Sequence, residues 1–392
     1  MVETLKGIKV VAFTRAAAGC CCVKMLTEFG ADTVFVEPVK GIPLRYLNFG
    51  DFYINNQKSV PINMRDPKGV EFMHRLLEKA DVFVSNYRNG VLKTLGLDYE
   101  SLKDKYPKLI HATISGYGTK GPMKDAPGFD VTAFWGRAGL SSDSMDKNAN
   151  MPLIVPQGTG DVACGENLAM GVIAALFDRT RTGKGMQVYT SLYSVGLFLN
   201  NSQIIDQQLG VKYPKTRKDP GRAMKNTFRC KDGWVQTMTL NFDKDFNSIL
   251  KVAHLDNLIG DPRWKCMEDT EGENAIELTE ILDSGFAQIT VQEAVDGLTA
   301  ADVAVSKYFT GLDTVTDEQA EANTYFSDVD TLKGKRIRIP ANPIKFNGDE
   351  TLDEYRAPQL GEHTVEVMKE YGYSDAEIDE YIKNGTVVAQ GR

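Results

Sequence analysis

The chain has 392 residues, 42% hydrophobic and 25% charged, the balance of an ordinary globular protein with room for two or three domains. Its net charge of −8 argues against a general nucleic-acid binder, and no apolar run in the sequence reaches the length of a membrane span. Met1–Gly7 lacks a signal-peptide pattern, so a cytoplasmic protein working away from membranes is expected. Cys20, Cys21, Cys22, Cys164, Cys230 and Cys266 show no zinc spacing, and three adjacent cysteines cannot staple a fold. His74, His111, His254 and His363 are far apart in sequence, so buried reduced thiols, structural or surface histidines and no metal are expected.

Ile8–Val11 is a short β-rich run, followed by the small residues Ala16–Gly19 and a helical pattern through Val23, Met25, Leu26 and Phe29. Gly30-Ala31-Asp32 punctuates, and Thr33–Val36 reads as a second strand ending in Glu37, a βαβ opening. An acidic residue there holds the ribose in dinucleotide-binding domains, but the glycine fingerprint is missing, with Gly19 standing alone. Tyr46–Ser59 has no regular period; Phe49, Phe52 and Tyr53 belong either to a surface loop or to an aromatic wall beside a basic hook. Arg65–Lys79 is an amphipathic helix entered through Asp66-Pro67. Asp81–Ser85 and Leu109–Ile114 read as strands, with a short helix over Val91–Leu95 between them. This alternation predicts an α/β fold with a mostly parallel sheet and helices on both faces. Ligand loops are expected at the carboxyl ends of the strands: Thr14–Gly19, Glu37–Gly41, Asn86–Gly90 and Ser115–Gly118.

The next stretch, Pro156–Gly165, is a glycine-broken loop running into one carboxylate, Asp161. Leu168, Met170, Val172, Ile173, Leu176 and Phe177 then fit one face of a helix, closed by Gly183-Lys184-Gly185 before a strand over Met186–Thr190. Two readings of Asp161 stand side by side: an N-cap of that helix, or a nucleophile held where backbone N–H groups and the helix dipole favour an anion. Tyr193–Leu209 reads as helical and Lys212–Lys225 as a basic linker. A β-hairpin turning at Asp232-Gly233 follows, then several helices to about Ala301. Asp313–Asp328 is acidic and reads as a connection, Arg336–Ile339 as a strand, and Thr364–Tyr371 and Asp375–Asn384 as two short helices.

With these pieces in order, the chain resembles the class III CoA-transferases, the family that includes formyl-CoA and carnitine CoA-transferases. The resemblance rests on Leu26–Asp32 with Val36-Glu37-Pro38, Asp81–Arg88, Ser115–Gly118, the Asp161 stretch, Ala174–Leu176 with Thr182–Gly185, Lys231–Trp234, Asp261–Trp264, Ala357–Thr364 and Tyr373–Asp375. It implies a Rossmann-like large domain built from both ends of the chain, here 1–210 and 341–392, and a small α+β domain at 226–312. Segments 211–225 and 313–340 would connect them, and two subunits would interlock as a homodimer. It also implies Asp161 as covalent nucleophile, CoA moved from an acyl-CoA donor to a free carboxylic acid through aspartyl anhydride and aspartyl-CoA thioester intermediates, and coenzyme A as the cofactor, with no metal.

By the same resemblance, CoA is expected along Arg15, Ala17, Lys40, Asn86, Tyr87, Ser115 and Tyr117, with Lys58, Arg88 and Lys93 as further phosphate ligands. Phe49, Phe52, Tyr53, Phe129 and Phe134, with Gly158 and Gly160, would line the acyl pocket. The oxalate-using enzymes carry a glycine run where Lys218–Met224 has only Gly221. Gly128–Phe134 instead looks like the branch acting on 2-hydroxy acids such as phenyllactate or 2-hydroxyisocaproate. The α-methylacyl-CoA racemases are the nearest alternative, sharing Ala175–Thr180. Their histidine before the aspartate is Phe129 here, which cannot take a proton. A non-catalytic protein binding a CoA ester or dinucleotide is the alternative from another class.

Overall fold

Short runs of Val, Ile and Phe become a six-stranded sheet: β1 (Lys9–Phe13), β2 (Asp32–Glu37), β3 (Lys58–Pro61), β4 (Val82–Ser85), β5 (Ile110–Ser115) and β6 (Gln187–Ser191). The computed structural model describes residues 3–149, 151–348 and 355–391. Every pairing in the sheet is parallel and the order is β3-β2-β1-β4-β5-β6. The chain therefore reverses its direction of winding between β1 and β4, the point at which such sheets bind ligands outside the carboxyl ends of their strands. The central strands are buried on both sides, as in β4, which explains why they read as continuous apolar runs.

One face is covered by helix α1 (Ala17–Glu28) and the long helix Thr159–Thr182. Cys20, Cys22, Val23 and Leu26 share a core there with Cys164, Leu168, Val172 and Leu176. Gly165 permits the close crossing, because a Cβ at that position would stand 2.6 Å from Cys21 Cβ. The other face is covered by α3 (Pro67–Glu78) and the C-terminal helices Thr364–Glu370 and Asp375–Lys383. Asp66 caps α3, its side chain accepting the Lys68 N–H at 3.0 Å.

The apolar residues of the long helix divide between two faces. Leu168, Val172 and Leu176 are buried, whereas Met170, Ile173 and Phe177 are 65%, 37% and 79% exposed. The expected single stripe is thus two stripes, one facing the protein's own core. By length and composition alone this 24-residue helix could cross a membrane, contrary to the sequence reading. Its buried stripe is taken by α1 and the sheet.

Two elements in Tyr46–Ser59 escaped the sequence pattern. α2 (Gly50–Ile54) and edge strand β3 are each too short for periodicity to register. Pro61 at the end of β3 is tolerated because an edge strand has a free side.

Glu37 is fully buried at the end of β2. Its Oε1 accepts from Arg45 Nη2 at 2.6 Å and Ser59 Oγ at 2.7 Å, and Arg45 Nη1 donates to the Pro358 carbonyl. With its oxygens taken up by these donors, the carboxylate ties the C-terminal segment to the first βαβ unit instead of reaching a ribose, which disfavours the dinucleotide reading.

The chain divides into two compact units, Met1–Leu140 with Val155–Ile204 and Glu318–Arg392, and Ser141–Ile154 with Ile205–Asp317. In the second unit an antiparallel sheet of β7 (Thr227–Arg229), β8 (Trp234–Met238) and β9 (Ala304–Lys307) includes the expected hairpin. Its core stacks Phe228 on Phe286 at 4.6 Å, with Ile249, Leu278, Leu282 and Leu298 around them. The segment 313–340 carries a hairpin of β10 (Phe326–Asp330) and β11 (Arg336–Pro340), and from Glu318 it belongs to the first unit. Val329 and Ile339 bury against Tyr355 and Phe52, which explains why this stretch is more than a connection.

Candidate active site

Asp161 is the third residue of the long helix, after Thr159 and Gly160, and Gly158 is the N-cap. Gly158 sits at φ +86°, a left-handed conformation that favours glycine, and a Cβ there would stand 2.9 Å from the Tyr53 hydroxyl. A Cβ at Gly160 would collide with Asp130 Oδ1 and the Phe134 ring. The two glycines therefore let the loop press against α2 and the π-helical run Asp130–Arg137. The capping role considered for Asp161 is filled from elsewhere: Asp130 Oδ2 accepts the Gly158 N–H at 2.9 Å.

The Asp161 carboxylate is half-buried, and a second helix start faces it. α1 begins at Ala17 behind Ala16, which provides no side-chain cap for its first N–H groups. The Ala18 N–H draws on Asp161 and favours its charged form. Burial, and then the neighbouring charge of Asp130, act more strongly and push the Asp161 carboxyl up to about 7. No cation contributes to that balance. Burial pushes the Cys20 and Cys21 thiols up to about 12 and raises Tyr53 and Cys164 as well, so these neighbours are neutral at physiological pH. The result is a reachable, basic carboxylate with no counter-ion among the described residues, beside the backbone donors of a second helix start. It can attack an acyl carbon, and the donors can stabilise the oxyanion that forms.

The other predicted residues separate into groups. Tyr53, Phe134, Gly158, Gly160 and Ala17 gather around Asp161, with Tyr53 and Phe134 themselves buried. Phe52 turns away to pack under Lys24 Nζ, 4.4 Å from its ring centre, while Phe49 and Phe129 are 45% and 62% exposed. Arg15, Lys40, Arg88 and Lys93 are exposed on the segments following β1, β2 and β4, and none has an ion-pair partner among the described residues. Asn86 is a brace: its side chain accepts the Arg15 N–H and donates to the Ala16 carbonyl, both at 2.9 Å, which fixes the loop ahead of α1. Tyr87 stacks on Phe13 at 4.2 Å, and Ser115 Oγ accepts the Gly118 N–H at 2.9 Å. Tyr117 lies 6.4 Å from Tyr193, with the Arg137 guanidinium near both rings.

Lys58 requires a correction. It begins β3, so it stands at the amino ends of the strands, paired with Asp32 at 2.8 Å and close to Glu366 and Glu370. Three carboxylates already surround it, on the edge strand and away from the carboxyl ends of the sheet.

Sequence reasoning missed Asp130 and the start of α1, which lacks a side-chain cap. Asp130 heads a run rich in aromatic residues and entered the sequence reading only as the neighbour of Phe129; a second carboxylate near a proposed nucleophile was the available signal. Among the described residues no group of three His, Cys, Asp or Glu is arranged to hold a metal.

The sequence profile of CoA-transferase family III matches residues 5–364. The chain is 34% identical to an (R)-2-hydroxy-4-methylpentanoate CoA-transferase of Clostridioides difficile, with 98% of this chain and 99% of that protein aligned. It is 32% identical to a cinnamoyl-CoA:phenyllactate CoA-transferase of Clostridium sporogenes, over 98% of this chain and 97% of the relative. Among solved structures, a CaiB/BaiF family protein from Brucella suis superposes with a TM-score of 0.81 at 26% identity, covering 94% of this chain and 99% of its own.

Proposed function

The chain belongs to the family III CoA-transferases, and from that premise we propose that it moves CoA from an acyl-CoA donor to a free 2-hydroxy acid, with Asp161 as the covalent nucleophile. The observation that carries this reading is the basic, counter-ion-free Asp161 carboxylate between two helix starts. In the first step it attacks the donor thioester carbonyl, the C–S bond breaks, and CoA leaves as thiolate from a mixed anhydride. The thiolate attacks the aspartyl carbonyl, releasing the donor acid and leaving CoA as a thioester on Asp161. The acceptor carboxylate attacks that thioester, freeing the thiolate again and forming a second anhydride. Attack of the thiolate on the acceptor's acyl carbon restores the Asp161 carboxylate. Thioester is exchanged for thioester, and each intermediate provides a better leaving group than the acid itself.

The four exposed cations Arg15, Lys40, Arg88 and Lys93 support placement of the CoA phosphates along the loops at the carboxyl ends of β1, β2 and β4. Tyr53 and Phe134 beside the nucleophile loop favour an apolar acyl group. The two curated relatives act on acids named as 2-hydroxy-4-methylpentanoate and phenyllactate, which fits that wall. An interlocked homodimer is part of the same reading: Met170, Ile173 and Phe177 leave an apolar stripe on the long helix for a partner subunit to cover. A panel of CoA acceptors scored by mass spectrometry tests the substrate class, with oxalate, carnitine, phenyllactate, 2-hydroxyisocaproate and short fatty acids as arms. Branched or aromatic 2-hydroxy acids should lead; best activity with oxalate and formyl-CoA would contradict the assignment.

A further inference from the structure

The Gly158–Asp161 turn contains an arrangement that a simple nucleophile loop does not need. An acid at the third position of a helix ordinarily reaches back to the backbone N–H of the N-cap residue. Here that residue is Gly158, and its N–H is already bonded to Asp130 Oδ2 at 2.9 Å. Asp130 is 6% exposed, and its Oδ1 has no hydrogen-bond partner among the described residues. The Gly160 and Asp161 N–H groups face the same carboxylate without completing a bond to Oδ1. Two carboxylates therefore compete for one helix start, and Asp130 holds the bond. We propose that Asp130 is a positioning residue for Asp161: it caps the long helix from a neighbouring segment, leaving the Asp161 carboxylate off that cap and free to react, with a second carboxylate held beside it.

The surroundings make this assignment specific. The titratable groups facing Asp161 are Asp130 from the π-helical run, Tyr53 from α2, Cys20 from α1, and Cys164 from its own helix. The phenol and the thiols are held neutral by burial, so Asp130 is the group whose ionisation Asp161 senses. Asp130 pays for its burial by keeping the Gly158 bond. Its own carboxyl is raised by burial and lowered by the N–H groups of Gly158, Gly160 and Asp161. A neighbouring negative charge makes a carboxylate a stronger base and a better nucleophile once ionised, and the cap fixes where it points.

The inference rests on the nucleophile reading, and its test separates the two. Carboxyl-carbon NMR titration of the intact protein, with resonances identified by difference against Asp161→Asn and Asp130→Asn, follows the proton on Asp161 without needing turnover. In both Asp130→Asn and Asp130→Ala the Asp161 midpoint should fall by about one pH unit or more, because a like charge has been removed. The rate of acyl transfer to Asp161 above the midpoint should fall on the order of 10²-fold in Asp130→Ala, where the cap is lost. Asp130→Asn, which keeps an acceptor for Gly158, should lose less and folds on the same cap. An Asp161 midpoint unmoved in both variants overturns the inference, as does an Asp130→Ala enzyme with the wild-type rate. A wild-type protein that titrates as described but exchanges no CoA would count against the proposed function while leaving the carboxylate coupling established.

Discussion

Glu37 ends β2 and Asp161 opens the long helix, so both carboxylates lie on the carboxyl side of the same sheet. Glu37 is fully buried and satisfied by Arg45 and Ser59. Asp161 is half-buried, lacks a cation among the described residues, and has another carboxylate beside it. The contrast shows that a charged residue at the ligand end of a parallel sheet is not thereby a ligand residue. A neutralised carboxylate holds chain segments together, whereas one left uncompensated is a candidate for chemistry.

The largest expected effect breaks the satisfied member. Arg45→Met should cost about 3–5 kcal/mol, because it strands the buried Glu37 charge and removes the bond to Pro358. Urea denaturation would show it, and a loss under about 1 kcal/mol would mean that Glu37 finds other compensation. Asp161→Asn should act in the opposite direction. A carboxyl raised to about 7 from an ordinary 3.8 holds its proton in the folded state, so its burial is harmless below about pH 4. Stability is then lost as pH rises to 7, and the penalty is complete above it. Asp161→Asn should accordingly be more stable than wild type by about 2–4 kcal/mol at pH 8, with the gain gone by about pH 4. A gain that grew towards acid would invert the assignment.

Steric pressure at the loop sharpens the comparison further. Gly160→Ala should destabilise by about 1–3 kcal/mol, since its Cβ meets Asp130 and the Phe134 ring, and transfer should fall with it. Thermal melts together with activity would decide. The smallest effects concern CoA affinity: Lys40→Ala and Arg88→Ala should each weaken it about tenfold if they meet phosphate. Lys58→Met should leave it within about twofold, because Lys58 stands at the other end of the strands. Equilibrium binding of CoA would rank the three, and a loss at Lys58 matching the others would contradict its placement.

The α/β class and most elements were legible in the sequence because buried parallel strands and amphipathic helices such as Pro67–Glu78 leave clear periods. β3 and α2 were not, at 4 and 5 residues. The split stripe on the long helix was invisible for another reason. Apolar spacing reports which positions avoid water and not what covers them, so Leu168 and Phe177 look alike in sequence. Asp161 could be singled out from its glycines and the helix after it. That Gly158 and Asp130 take the cap depends on a contact spanning 28 residues, which no local pattern encodes.

The central claim is that Asp161 carries acyl groups and CoA covalently. Wild-type protein incubated with an acyl-CoA and then hydroxylamine should gain a hydroxamate on the peptide containing Asp161, read by mass spectrometry. The same treatment of Asp161→Asn should give no label and no CoA exchange, although Asn caps a helix as well as Asp does. Label on another carboxylate, or a fully active Asp161→Asn enzyme, would contradict the account.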